Sequence, residues 1–206
     1  VRSRLGHSIP LIYLKAKNSF NFNNSRPTLL YSHGNLEDLG FIRPRLETFR
    51  AHGYNILSYD YPGSGIATGT ASEDSCNAAA EAAYDYLTQT LNVPPSRILI
   101  YGRSMGSGPS VHLALTQPAA GLVLQSPFVS AFRVQTGIKL LPWDRFNNLA
   151  SISQIKMPLL LVHGLNDETI PAWHSEMLAQ AATSARVPVT FLKVPFALHN
   201  NVIEIA

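Results

Sequence analysis

A chain of 206 residues is long enough for one domain with a substantial core and short for two. Its 46% hydrophobic and 14% charged residues describe an ordinary globular protein, and a net charge of only +3, from scattered basic residues, excludes an electrostatic case for nucleic acid. The single cysteine, Cys76, excludes an internal disulfide, and no apolar run approaches the ~20 residues a membrane-spanning helix needs.

In chain order, Val1 to Ala16 predicts two short strands around a polar turn, with Ile9 to Leu14 the stronger. Lys17 to Arg26 is an Asn-rich loop, and Thr28 to Ser32 is a buried strand running into His33-Gly34-Asn35. Leu36 to His52 has helical spacing (Leu39, Ile42, Leu46, Phe49) and Gly53 closes it; its Arg43, Arg45 and Arg50 belong on a solvated face. Tyr54 to Tyr59 is the next strand, with a turn-rich loop, Asp60 to Gly65, beyond it. Glu73 to Leu91 is the longest helix, Ala-rich, with Cys76 as a small buried hydrophobe. After Pro94-Pro95 come a strand from Ile98, a helix over Ser110 to Gln117 and a strand from Gly121 to Ser126. Pro127 to Ile155 is mixed. Met157 to His163 is a strand, Trp173 to Ala182 a helix and Val187 to Val194 the last strand. The strands are continuous apolar runs alternating with helices, which predicts a mostly parallel sheet with helices on both faces.

Chemistry concentrates in Ile98-Leu99-Ile100-Tyr101-Gly102-Arg103-Ser104-Met105-Gly106. A strand entering Gly-x-Ser-x-Gly and leaving as a helix is a nucleophile elbow, in which two glycines let strand and helix approach around an exposed serine. Alone the pentapeptide is a common pattern, and a plain Gly/Ser turn is the bland alternative.

Ligands bind outside the carboxyl ends of strands in such sheets, which makes His33, Asn35, Asp60, Ser104, Ser126, Asp167 and His199 the candidates. A serine nucleophile needs an imidazole base and a carboxylate that holds the base's tautomer. His199 alone follows the last strand at loop distance beyond Asp167, so it is the expected base. His33 and His163 precede glycines at strand ends and read as structural imidazoles; His52, His112 and His174 lie on helices and His7 on a turn. Asp167 is the expected acid, ahead of Glu168 and Asp144. The backbone N–H groups of Asn35 and Met105 would form the oxyanion hole.

At this point the chain resembles the α/β-hydrolase superfamily, and within it the small, cap-poor serine hydrolases that include the depalmitoylating animal proteins and their bacterial relatives. The motifs are Leu30-Tyr31-Ser32-His33-Gly34-Asn35 with Glu37 to Gly40, Ser58 to Gly65, Tyr101 to Gly106, Leu160 to Asp167, and His199-Asn200. The resemblance implies an α/β-hydrolase fold with little or no cap and a Ser–His–Asp triad on Ser104, His199 and Asp167 that hydrolyses esters or thioesters. It implies neither metal nor cofactor. Animal members use a cysteine-rich N-terminal segment for anchoring; none stands in these 206 residues, so protein depalmitoylation is not carried over. Two departures stand out. Phe196-Ala197-Leu198 replaces the family's usual glycine before the histidine, and only seven residues follow His199. The second suggests a shortened final helix, whose absence would bare apolar sheet and favour self-association.

The expectation is a serine hydrolase of small or acylated substrates, cytoplasmic, with Leu36, Tyr61, Phe128, Trp143 and Leu165 as walls of an open, partly apolar mouth. A peptidase on the same fold and a non-catalytic binding protein are the alternatives.

Overall fold

A computed structural model describes residues 1–17, 26–136 and 144–205. Seven strands form one sheet: β1 (Leu11–Leu14), β2 (Thr28–Ser32), β3 (Asn55–Tyr59), β4 (Ile98–Arg103), β5 (Gly121–Gln125), β6 (Leu159–Gly164) and β7 (Val189–Val194). Their spatial order is β1-β3-β2-β4-β5-β6-β7, and every pairing is parallel except the edge pairing of β1 with β3. Parallel neighbours align their carboxyl ends, so Ser32, Tyr59, Arg103, Gln125, Gly164 and Val194 bring six loops to one rim.

Alternate residues of the strands enter different layers. Leu30, Leu57, Ile98, Ile100, Leu122 and Leu161 join the larger core under helices α2 (Glu73–Asp85), α3 (Ser107–Thr116), α5 (Asn148–Ile152) and α6 (Trp173–Ser184). Leu29, Tyr31, Ile56 and Tyr101 face the other way, under Ile42 and Leu46 of α1 (Leu39–Ala51). On that second face Val162 and Val194 also pack on Val202 of α7 (Val202–Ile205), leaving an apolar groove along Leu99, Val123 and Leu160. This is the α/β-hydrolase architecture. Among its described residues the β5–β6 connection carries two short helices, α4 (Ala131–Thr136) and α5. No described helix is long and apolar enough to cross a membrane.

Three local readings change. The first expected strand shrinks to a single bridge, Arg2 to Ser8, because Gly6 at φ 79° turns the chain back with its N–H on the Ser3 carbonyl. Helix α1 begins three residues late: Leu36 sits at φ 58°, and the Asp38 side chain caps the helix by accepting from the Phe41 N–H at 2.8 Å. The long Ala-rich helix keeps its regular form to Asp85 and then widens to a π-helical turn, Tyr86–Thr90, before the prolines.

Candidate active site

The elbow is built by its glycines. A Cβ on Gly102 would lie 2.6 Å from the Gly106 carbonyl oxygen and from the Ser110 hydroxyl, and one on Gly106 would overlap the Ser32 carbonyl at the end of β2. With both positions bare, β4 turns directly into a 3₁₀ turn (Ser104–Gly106) and then α3. Ser104 is held at φ 53°, a left-handed conformation that the surrounding fold enforces. Its side chain opens onto a cavity of about 570 Å³.

On the far side of the rim, Asp167 stands on the turn after β6. Its Oδ1 accepts from the N–H groups of Thr169 (2.9 Å) and Ile170 (2.7 Å), which orients the carboxylate. Its Oδ2 lies 2.7 Å from His199 Nδ1, and His199 Nε2 lies 3.2 Å from Ser104 Oγ. Burial by itself would raise the Asp167 pKa, but the hydrogen bonds from His163, His199 and the Ile170 N–H hold it well below the usual carboxylate range. The carboxylate therefore stays ionised, and an ionised Oδ2 fixes the proton of His199 on Nδ1, leaving Nε2 free to accept from the serine.

The histidine loop reaches this position despite lacking the glycine. Phe196 adopts φ 64°, fully buried Ala197 turns its carbonyl to the Asn166 N–H at 3.0 Å, and a Cβ on Gly164 would overlap that same carbonyl. The glycine needed for close approach is thus Gly164, on the strand, rather than a residue beside the histidine.

Asn35 and Met105, the expected oxyanion donors, both line the cavity into which Ser104 opens, and so does Phe128. Other expected walls lie elsewhere. Tyr61 is turned into the core, 1% exposed, and its hydroxyl donates to the His33 carbonyl at 2.9 Å, so it braces the loop after β2. Leu36 (96% exposed) and Leu165 are solvent-facing and outside the lining; Trp143 lies outside the described residues. Phe146, Ile170, Ala131 and Cys76 form the apolar surface instead, and burial pushes the Cys76 thiol up to about 11. Of the rival acids, Glu168 meets the backbone N–H of His199 (3.4 Å) rather than its ring, and Asp144 lies in the β5–β6 connection.

His163 is the structural imidazole its place before a glycine suggests: fully buried, it donates from Nε2 to the Ile170 carbonyl (2.8 Å) and lies 3.2 Å from Asp167 Oδ2, so it supports the acid. Sequence reasoning gave no role to a second group. Arg103, one of the two wildcards of the elbow, is buried beside Glu37. A charged residue at the end of a buried apolar strand was the available signal.

The serine aminopeptidase S33 family profile matches residues 23–150, and the prolyl oligopeptidase family profile matches residues 134–203. The chain is 38% identical over 182 residues to alpha/beta hydrolase domain-containing protein aho-3 of Caenorhabditis elegans, covering 87% of this chain and 54% of that protein. It is 37% identical to human alpha/beta hydrolase domain-containing protein 17B, covering 87% and 62%. It thus spans little more than half the length of these curated relatives. Among solved structures, the Pyrococcus furiosus esterase Pf2001 superposes with a TM-score of 0.78 at 20% identity, over 100% of this chain and 84% of that one. That likeness is one of fold.

Proposed function

Because the chain belongs to the α/β-hydrolase family that the serine aminopeptidase S33 profile describes, we propose that it is a serine hydrolase of carboxylic esters or thioesters. The observation that carries this reading is the unbroken contact path from Ser104 Oγ through His199 to Asp167. Ser104 Oγ attacks the acyl carbon as His199 Nε2 takes its proton; the carbonyl oxygen becomes an anion facing the N–H groups of Met105 and Asn35. As the tetrahedral intermediate collapses, His199 returns the proton to the departing alcohol or thiol, leaving an acyl-serine. Water, deprotonated by the same imidazole, then attacks the acyl carbon; the acyl–Oγ bond breaks, His199 returns the proton to Ser104 Oγ, and the carboxylic acid leaves. Asp167 stabilises the imidazolium in both halves.

The lining of Phe128, Phe146 and Ile170 suits an acyl chain of short to medium length. A p-nitrophenyl ester and thioester panel of graded length tests this, with fluorophosphonate labelling compared between the wild type and Ser104→Ala. Labelling that persists in Ser104→Ala, or is missing from the wild type, overturns the assignment and favours a non-catalytic binding protein.

A peptidase is the second reading, favoured by the descriptions of both matching profiles. Turnover of aminoacyl p-nitroanilides in preference to esters would establish it.

A further inference from the structure

Arg103 precedes the proposed nucleophile, yet its side chain turns away from the acyl cavity and joins three loops. It is 3% exposed. Its Nη1 donates to Glu37 Oε1 at 2.9 Å, and its Nη2 donates to Asn200 Oδ1 at 2.6 Å. The other oxygen of Glu37 accepts from the Gly34 N–H at 2.6 Å. A path of charge-assisted hydrogen bonds therefore runs from the residue after His199, through the elbow, to the residue before Asn35. Gly34 has no room for a side chain in this arrangement, since a Cβ would stand 2.7 Å from Arg103 Nη1.

We propose that Arg103 is a positioning residue, its guanidinium locking the histidine loop and the oxyanion loop onto the elbow so that both converge on Ser104 Oγ. The inference rests on the serine hydrolase reading and adds to it. Both contacts are directional, and Nε has no partner among the described residues, so the two Nη contacts set the fork. Glu37 is also held by Arg45 of α1, with Nη1 donating at 3.0 Å to the same Oε1. Burial alone would raise the Glu37 pKa, but the two guanidiniums and the Gly34 N–H hold it below the usual range, so the carboxylate end of the path stays charged. The elbow's first wildcard is on this view chosen for its neighbours' sake.

The test uses the histidine arm, because Asn200 is exposed and its replacement leaves the core intact. Asn200→Ala removes the acceptor and Asn200→Asp restores one; Arg103→Lys keeps the charge and loses the fork. The rate constant for fluorophosphonate labelling of Ser104 is measured against pH, alongside melting temperature. Losing one charge-assisted bond that acts on reactive geometry is expected to slow labelling about tenfold in Asn200→Ala. Asn200→Asp recovers the wild-type rate, Arg103→Lys is slowed at least as much as Asn200→Ala, and the Asn200 variants melt with the wild type. Wild-type labelling rates in Asn200→Ala and Arg103→Lys overturn the role of Arg103 while leaving the hydrolase reading intact. An unlabelled wild-type protein overturns both.

Discussion

Halfway along the strands, Leu30, Leu57, Ile100 and Leu122 are buried apolar side chains packed on each other and on helices. A few residues further along the same chains stand His33, Asp60, Arg103 with Ser104, and Ser126, just as buried but polar. The middle of the sheet is held by non-directional exclusion of water, about 1.5–3 kcal/mol for each large aliphatic side chain. The rim is held by hydrogen bonds that must each be aimed, and Leu36, Ser104, Ser126 and Phe196 there take positive φ although none is glycine. Such conformations cost roughly 1–3 kcal/mol each and persist only where a rigid body over-determines them. The same strands thus supply stability at one height and strained, pre-aimed polar groups at the other.

If labour is divided in this way, the largest effect comes from the rim. Ser104→Ala lowers kcat by about 10⁶-fold while the urea midpoint stays with the wild type. A variant that keeps most of its turnover would break the contrast at its centre. Ile100→Ala should behave oppositely, losing about 2–5 kcal/mol in urea unfolding with kcat per folded molecule unchanged.

An intermediate case lies behind the rim. His174 is fully buried, stacks on Trp173 at 3.7 Å and accepts the Val129 N–H on Nδ1 at 3.2 Å. Burial, then the nearby His163 and Arg133, lower its pKa from 6.5 to about 4. Between those values the unfolded chain binds the proton and the folded one does not, so stability is complete above pH 6.5 and falls as pH drops toward 4. The expected loss over that window is about 3 kcal/mol, and His174→Gln should abolish it in urea titrations at several pH values. Asp167 works in the same direction but lower down, its contribution disappearing only beneath the ordinary carboxylate range. The smallest effect belongs to Leu36→Ser: although it sits beside Asn35 in the loop after β2, its side chain is 96% exposed, and unfolding should move by under ~0.5 kcal/mol.

How legible each height was follows from the forces involved. The strand from Thr28 to Ser32 and the elbow strand could be read because a continuous apolar run has one good use in a protein of this size. The start of α1 was misread because hydrophobic spacing extends through Leu36, while the cap and the left-handed turn act through backbone geometry. Tyr61 was misplaced for a related reason: an aromatic beside a strand end can face the cavity or the core, and only the position of the His33 carbonyl decides it.

The sequence by itself determined the alternating α/β order, the elbow and the short list of strand-end residues, because local periodicity and bare glycines leave few conformations open. Only the tertiary structure decided that His199 comes within 3.2 Å of Ser104 without a glycine beside it, that His163 supports Asp167 and that Arg103 reaches Glu37 and Asn200. Those contacts join residues as many as 97 positions apart, and a distance across folded loops is set by the packing of the whole sheet, which no local stretch of chain encodes.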